Sequence, residues 1–324
     1  MANIKDVAQY ANVSVTTVSR VLNGHPYVRE EKRKAVEAAI EALEYIQNSN
    51  AINLSVGKTR LIGVVIPFVN HPYFSQLLNG ISSRALELGY TLVLFQTTYD
   101  ENKEIEAMEM LKHKQIDGVV ITSRAVSWDC LKGYQPYGPI VVCEDNASEH
   151  ISSVSIHHYD AFTAGMNLLI ESGHRRIGYC ISRPNSTNSL IRQEAFADAM
   201  NRIGASIHEE WLFTNRLSLE DGEQVVHQLL VQGEKPSALL VASDQVAAGI
   251  VMECQKQGMT VPGDLAVVGF DNHPISKALN ITTIALPFQE VGRALVNSVL
   301  MEDKPTRQQY GFEVISRGSV VEQE

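Results

Sequence analysis

Residues 3–23 read Asn3-Ile4-Lys5-Asp6-Val7-Ala8-Gln9-Tyr10-Ala11-Asn12-Val13-Ser14-Val15-Thr16-Thr17-Val18-Ser19-Arg20-Val21-Leu22-Asn23, and their spacing sets the fold of the N-terminal part of the chain. Asn3 is a good helix N-cap and Asp6 stands three residues on, a variant of the capping box in which each side chain satisfies the other residue's backbone amide. Ile4, Val7, Ala8 and Ala11 then fall on one helical face over 3–11. The chain turns at Asn12-Val13. Ser14 caps a second helix over 15–22, with Val18, Val21 and Leu22 as its inner side, and Asn23-Gly24 stops it. Val36, Ala39, Ile40 and Leu43 repeat at helical spacing and predict a third helix over 30–44.

Three short helices with a tight turn between the first two are the plan of a helix-turn-helix DNA reader. A plain three-helix bundle has the same periodicity, and the outer face of the second helix separates the two. It carries Thr16, Thr17, Ser19 and Arg20 in place of the Glu/Lys mix of an ordinary solvated face. Short hydroxyls and one Arg suit phosphates and base edges.

The runs Ile4-Lys5-Asp6-Val7-Ala8, Ala11-Asn12-Val13-Ser14 and Thr17-Val18-Ser19-Arg20-Val21-Leu22-Asn23 resemble the signature of the LacI/GalR (lactose-repressor) family. The resemblance implies that the second helix enters the major groove, with Val15, Thr16 and Arg20 at base-reading positions, Ser14 and Thr17 on phosphates, and Asn23 also at the DNA. An Arg at such a position pairs bidentately with guanine, and an apolar side chain meets a thymine methyl. The polar stretch 45–60, closed by Gly57, is a domain boundary by composition. By the same resemblance it forms a hinge in which Ala51 and Leu54 take minor-groove positions, an inserted leucine being a device that kinks DNA. Two departures stand against this. Gln47 replaces the family's usual Pro and Ile52 its usual Arg, which leaves a flexible tether as the other reading. The domain plan is thus a DNA-binding domain over 1–47, a hinge over 48–60 and a third part over 61–324.

From residue 61 short apolar runs alternate with amphipathic stretches. Strands are predicted at 61–66, 91–95, 118–122, 140–143, 177–181, 238–242 and 265–270, with helices near 74–88, 102–114, 159–172, 189–203, 220–231, 244–257 and 289–301. Near-continuous apolar strands between helices mean parallel sheets covered on both faces. The rhythm breaks near 145–158 and 282–288, which predicts two α/β lobes, about 61–158 with 289–324 and about 159–288, around a cleft. This is the periplasmic-binding-protein-like architecture the family shares.

Ligands of open α/β sheets sit beyond the carboxyl ends of strands. That rule selects Asn70, Tyr73 and Phe74 after the first strand, then Ser123, Ser243 and Asp271. It also points to Phe68, His71, Gln96, Thr97, Arg124, Glu144, Asp145, Arg183, Asn185, Asp244 and Asn272 as neighbours of the cleft. Aromatic, amide, carboxylate and Arg groups together suit a polyhydroxylated small molecule such as a sugar. The resemblance adds Arg192, in Arg192-Gln193-Glu194-Ala195-Phe196, and supports Asp271, in Gly269-Phe270-Asp271-Asn272, as effector contacts. A structural ion pair between lobes is the alternative for these two. His157-His158 stands where the family often has Asp-Asn, Ser243 where it often has Asn, and Leu217 near a stacking aromatic of relatives; Tyr73 and Phe74 offer a replacement platform.

The chain has 27 Lys/Arg and 37 Asp/Glu, a net −10, yet residues 1–60 hold eight basic against six acidic side chains. A DNA contact must therefore come from the N-terminal part and be doubled by dimerisation. Four scattered cysteines form no C-x-x-C pair, and His157-His158 with Asp160 lacks a third ligand at metal spacing, so neither metal nor cofactor is expected. No dinucleotide, phosphate-loop, nucleophile-elbow or zinc-protease motif occurs. No signal peptide and no long apolar run is seen, so a cytoplasmic protein without a membrane partner is expected. The expectation as a whole is a homodimeric repressor, not an enzyme, on a double-stranded, pseudo-palindromic operator, controlled by a sugar or sugar derivative in the cleft.

Overall fold

The structure, a computed structural model, describes residues 2–46, 57–145, 150–301 and 305–321. Ala51 and Leu54, with Gln47 and Ile52, lie outside the described residues. The chain divides into two compact units, Met1–Thr59 and Arg60–Glu324, each treated on its own below.

In the first unit, helices α1 (Ile4–Tyr10), α2 (Val15–Leu22) and α3 (Glu30–Ala42) enclose a small core of Val7, Ala8, Val18, Val21, Val36 and Ala39. The capping box at Asn3 and Asp6 is present in full, with the Asp6 carboxylate accepting from the Asn3 amide at 2.8 Å. The turn into α2 passes through Asn12 at φ +50°, a left-handed conformation that Asn tolerates. The end of α2 is a Schellman motif: the His25 amide donates to the Arg20 carbonyl at 2.9 Å and the Gly24 amide to Val21 at 3.0 Å. That motif requires the φ of +64° that Gly24 supplies.

The second unit holds two six-stranded sheets. The first lobe contains β1 (Leu61–Ile66), α4 (Pro72–Glu87), β2 (Thr91–Gln96), α5 (Glu101–Lys112), β3 (Gly118–Ile121), α6 (Trp128–Tyr134), β4 (Ile140–Val142) and β5 (Ser152–Ile156). The second contains α7 (His158–Glu171), β6 (Ile177–Cys180), α8 (Thr187–Arg202), β7 (Leu212–Phe213), α9 (Leu219–Leu230), β8 (Ala238–Val241), α10 (Asp244–Lys256), β9 (Ala266–Phe270), α11 (Pro274–Ala278) and β10 (Thr282–Ala285). The chain then returns to the first lobe with α12 (Phe288–Leu300) and β11 (Arg307–Tyr310), and crosses once more for β12 (Glu313–Ile315). Sheet orders are β11-β5-β4-β3-β1-β2 and β12-β10-β9-β8-β6-β7, parallel except for the antiparallel β10–β12 pair.

Two expectations need correction. Residues 289–324 do not all belong to the first lobe, because Ile315 pairs with Thr283 and Glu313 with Ala285 in the second sheet. The stretches 145–158 and 282–288 are not mere crossings, since each contains a buried strand. Their apolar signal was hidden by Ser153, Ser155, Thr282 and Thr283, all buried. Threonine hydroxyls are tolerated there because they are bonded: Thr283 Oγ1 donates to Asp244 at 2.7 Å and Thr282 Oγ1 to the Arg317 carbonyl at 3.1 Å.

In the first lobe α4 and α12 pack backbone to backbone. A β-carbon on Gly80 would meet the Gln289 carbonyl oxygen at 2.4 Å, and one on Gly292 the Leu77 carbonyl oxygen at 2.5 Å. Arg84 donating to Asn297 at 2.7 Å and Arg293 paired with Glu87 at 2.8 Å border the seam. Gly80→Ala should therefore lower stability by about 1–3 kcal/mol in urea unfolding of the full chain, despite a helix-propensity gain of about 1 kcal/mol. Gly133→Ala, at a helical position with nothing within 4 Å, is the control and should be neutral or stabilising. An unchanged midpoint for Gly80→Ala would show that the two helices part without cost.

Candidate functional site

The first candidate surface is the outer face of α2. Val15, Thr16, Arg20 and Asn23 are exposed while Val18 and Val21 are buried. Ser14 Oγ accepts the Thr17 amide at 3.2 Å and lies 2.9 Å from Thr17 Oγ1, so these hydroxyls already serve the helix start. Asn23 donates to Ser19 Oγ at 3.4 Å. Among the described residues, no hydrogen bond or ion pair holds the Arg20 side chain, whereas Arg33 is paired with Glu30.

The second site lies where strand order reverses in the two sheets. β1 has β2 on one side and β3 on the other, and β6 is likewise flanked by β7 and β8. Loops leave opposite sides of the sheet at such a point and open a crevice beyond the strand ends. Both crevices contribute to one cleft that opens to solvent. Of the residues expected there, Tyr73, Phe74, Ser123, Arg192, Ser243 and Asp271 line it. Asn70 does not: it is exposed, because the loop turns into α4 one residue later, at His71.

His71 caps α4, its Nδ1 accepting the Tyr73 amide at 3.3 Å. Burial lowers its pKa, and the nearby Leu217 carbonyl, which favours the charged ring, only partly offsets that. A neutral ring accepting through Nδ1 carries its proton on Nε2, which is buried and, among the described residues, has no partner in good hydrogen-bond geometry, the Leu217 carbonyl being only nearby. Tyr73 packs edge-on against Phe74 and Phe288, with ring centres 4.9 and 4.8 Å away. These contacts fix an aromatic wall on the first lobe.

Across the cleft Ser186 caps α8, bringing Ser189 and, one turn on, Arg192 to the cavity. Arg192 is buried, lies 4.9 Å over the Phe270 ring and donates to His158 Nδ1 at 3.3 Å. Burial first, then the Arg192 charge, push His158 well below its usual pKa, so its ring is neutral and can accept. Asp271 is 3% exposed with φ +106°, a backbone conformation that costs strain in a non-glycine residue. Burial, followed by the charge of Asp244, raises its pKa well above the carboxylate range, while Arg192 acts in the opposite direction. Arg192 and Asp271 form no ion pair within 4 Å among the described residues, and both stand on the second lobe, so the alternative of a salt bridge between lobes is not what the structure contains.

Among the described residues, six of the eleven buried side-chain polar atoms without a protein hydrogen-bond partner surround this one cavity: His71 Nε2, Asn188 Oδ1, Ser189 Oγ, Arg192 Nε, Arg216 Nε and Asp271 Oδ1. Buried polar groups are ordinarily satisfied, so a concentration of donors and acceptors marks a place that a polar ligand completes. Tyr99, three residues beyond β2, Arg216, in the irregular stretch after β7, and the Ser186–Ser189 turn that follows Asn185 also line the cleft, too far past the strand ends for the carboxyl-end rule to select them. Past a stack of Arg183 on Tyr99, 3.5 Å from ring centre to guanidinium carbon, the cleft continues into an outer space bordered by Arg124, Glu144 and Asn185. Among the described residues no group of three His, Cys, Asp or Glu side chains converges to hold a metal, and no helix is long and apolar enough to cross a membrane.

A helix-turn-helix unit and a two-lobed α/β unit with a polar cleft define a class of ligand-responsive DNA-binding regulators. Comparison with known proteins gives the family. The family model described as "Bacterial regulatory proteins, lacI family" matches residues 3–48, and that of "Periplasmic binding proteins and sugar binding domain of LacI family" matches residues 59–309. The uncharacterized HTH-type transcriptional regulator YkvZ of Bacillus subtilis is 42% identical over 99% of this chain and 100% of its own length. The NTD biosynthesis operon regulator NtdR of the same organism is 40% identical over 93% of this chain and 92% of its own. The lac repressor dimer bound to operator and the anti-inducer ONPF superposes with a TM-score of 0.85 at 26% identity, covering 99% of both chains. The chain belongs to the LacI family, a DNA-binding transcription regulator with a ligand-binding domain, and it is not an enzyme.

Two carboxyls near the cleft make stability depend on pH. Burial raises Asp244 to about 6 from an ordinary 3.8, and Asp271 moves in the same direction. The folded chain then holds protons that the unfolded chain has released, so this contribution is full below about pH 4 and is lost as pH rises through the folded values. Urea midpoints taken between about pH 4 and pH 7 should fall less steeply for Asp271→Asn than for the native chain. Parallel profiles would mean that Asp271 does not carry its proton into the fold.

Proposed function

We propose that the protein is a cytoplasmic repressor that binds a pseudo-palindromic double-stranded operator as a homodimer, with affinity set by a small polyhydroxylated effector in the interlobe cleft. The observation that carries the DNA half is α2. It buries Val18 and Val21 yet leaves Val15, Thr16 and Arg20 outside, with the Arg20 guanidinium free of any acidic partner among the described residues. Such a helix is suited to base edges, and twofold symmetry would present two copies to two half-sites. Ser14 and Thr17, already bonded to each other, suit a supporting phosphate contact better than base reading.

The effector half rests on the orphaned polar atoms around Arg192 and Asp271, with Tyr73 and Phe74 as the apolar wall and Ser123 and Ser243 at strand ends. Hydroxyls both donate and accept, which this mixture requires. The effector acts by preferring one arrangement of the lobes, and the connecting segment, including Ala51 and Leu54, passes that preference to the DNA-binding units. The lac repressor dimer, which this chain resembles, is known bound to both operator and the anti-inducer ONPF, which supports a paired DNA and small-molecule reading.

Arg20→Ala should relax preference at one base step, by about 1–3 kcal/mol in competitive binding to operator variants. A uniform loss over all sequences would reassign it to the phosphates. Asp271→Ala should leave operator retardation intact in gels while abolishing the response to the effector, and a normal response would remove Asp271 from the site.

A further inference from the structure

Some arginines of the fold meet carboxylates and others, such as Arg175, Arg202 and Arg317, meet only neutral acceptors; what sets the cleft apart is that three of the second kind line one cavity. Arg84 and Arg293 share Glu87, Arg33 meets Glu30, and Arg124 meets Glu144. Arg183, Arg192 and Arg216 all line the cavity, and among the described residues none has a carboxylate within 4 Å. Their partners are neutral. Arg183 donates to the Arg124 carbonyl at 3.1 Å and covers the Tyr99 ring; Arg192 has His158 and Phe270; Arg216 has the side-chain carbonyls of Gln224 at 3.1 Å and Gln228 at 3.3 Å. Arg183 and Arg216 come from adjoining backbone, since the Asn215 amide donates to the Ser182 carbonyl at 2.8 Å and the Arg216 amide to Ile181 at 3.1 Å.

Among the described residues Asp271 is the one carboxyl that lines the cavity; Glu104 and Asp221 act on Arg183 and Arg216 only from beyond ion-pair distance. The upward shift of Asp271 by burial widens the excess of positive charge. Arg192, the buried one of the three, is a charge removed from water, and such charges are normally paired because their desolvation is not otherwise repaid; Arg183 and Arg216 stand half-buried at the cavity wall. Guanidinium groups in particular match carboxylate and phosphate oxygens in geometry.

We propose that the effector is an anionic polyhydroxylated molecule, a sugar phosphate or sugar acid, whose negative group is held by Arg183 and Arg216 while Arg192 and Asp271 take its hydroxyls. This rests on the cleft being the effector site. Because Arg183 reaches from the second lobe to Tyr99 and the Arg124 carbonyl of the first, an anion held there also bears on lobe closure.

The test is thermal unfolding of the full chain at constant ionic strength in a phosphate-free buffer. The probes are glucose, glucose 6-phosphate, gluconate, and inorganic phosphate alone. Glucose 6-phosphate, gluconate and phosphate should raise Tm saturably where glucose and matched chloride do not. Arg183→Gln and Arg216→Gln should each weaken that binding by about ten- to a hundredfold, the loss of one charge-assisted contact. Asp271→Ala should spare the response to phosphate alone. Anion binding of equal strength in both arginine variants overturns the proposal, as does a panel in which no anion shifts Tm. Stabilisation by glucose equal to that by glucose 6-phosphate, lost in Asp271→Ala, overturns the charge preference but leaves the cleft as effector site. Failure of the effector reading itself is seen separately, as an unaltered operator response of Asp271→Ala.

Discussion

Two sheets built on one chain that crosses between them three times are the constraint on which the rest of the ligand-binding unit depends. The crossings follow β5, β10 and β11, so neither lobe is a continuous piece of sequence. Parallel strands fed by helices place every loop that leaves a carboxyl end on one edge of its sheet. The switch points beside β1 and β6 therefore face a common space. Residues more than a hundred positions apart, such as Tyr73 and Arg192, line it together.

That space is polar to a degree the sheets around it are not. The cores of both lobes consist of aliphatic and aromatic side chains, and the buried Ser and Thr of β5 and β10 sit at the crossing strands. Around the cleft, helix starts are repeatedly used to place side chains: His71 caps α4, Ser186 caps α8 and Ser243 caps α10. A capping residue is held by its bond to the helix amides, which fixes it without further packing. The strained backbone at Asp271 is a further cost accepted at this one place.

Electrostatics divides the protein in a similar way. The small unit carries a slight basic excess within a chain of net charge −10, and the cleft of the large unit gathers three arginines without carboxylate partners. Each positive region sits where an anion is the natural occupant: the phosphate backbone for one, a small molecule for the other. The acidic remainder limits non-specific attraction to nucleic acid.

The sequence by itself determined the three-helix unit, the alternation that makes parallel α/β lobes, and most of the strand ends that reach the cleft. These are legible because caps, turns and apolar periodicity act over a few residues, as the capping box at Asn3 and Asp6 and the stop at Gly24 show. Only the tertiary structure decided the rest. Thr282 and Thr283 are buried strand residues because Arg317 and Asp244, distant in sequence, satisfy hydroxyls that looked like loop, and Ser153 and Ser155 are buried in β5 by its pairing with β4 and β11. Glu313–Ile315 joins the second sheet because β10 offers an open edge. Arg183 and Arg216 form a site because two strand ends lie side by side, and whether a charge has a partner is a matter of distance in space, on which sequence order is silent.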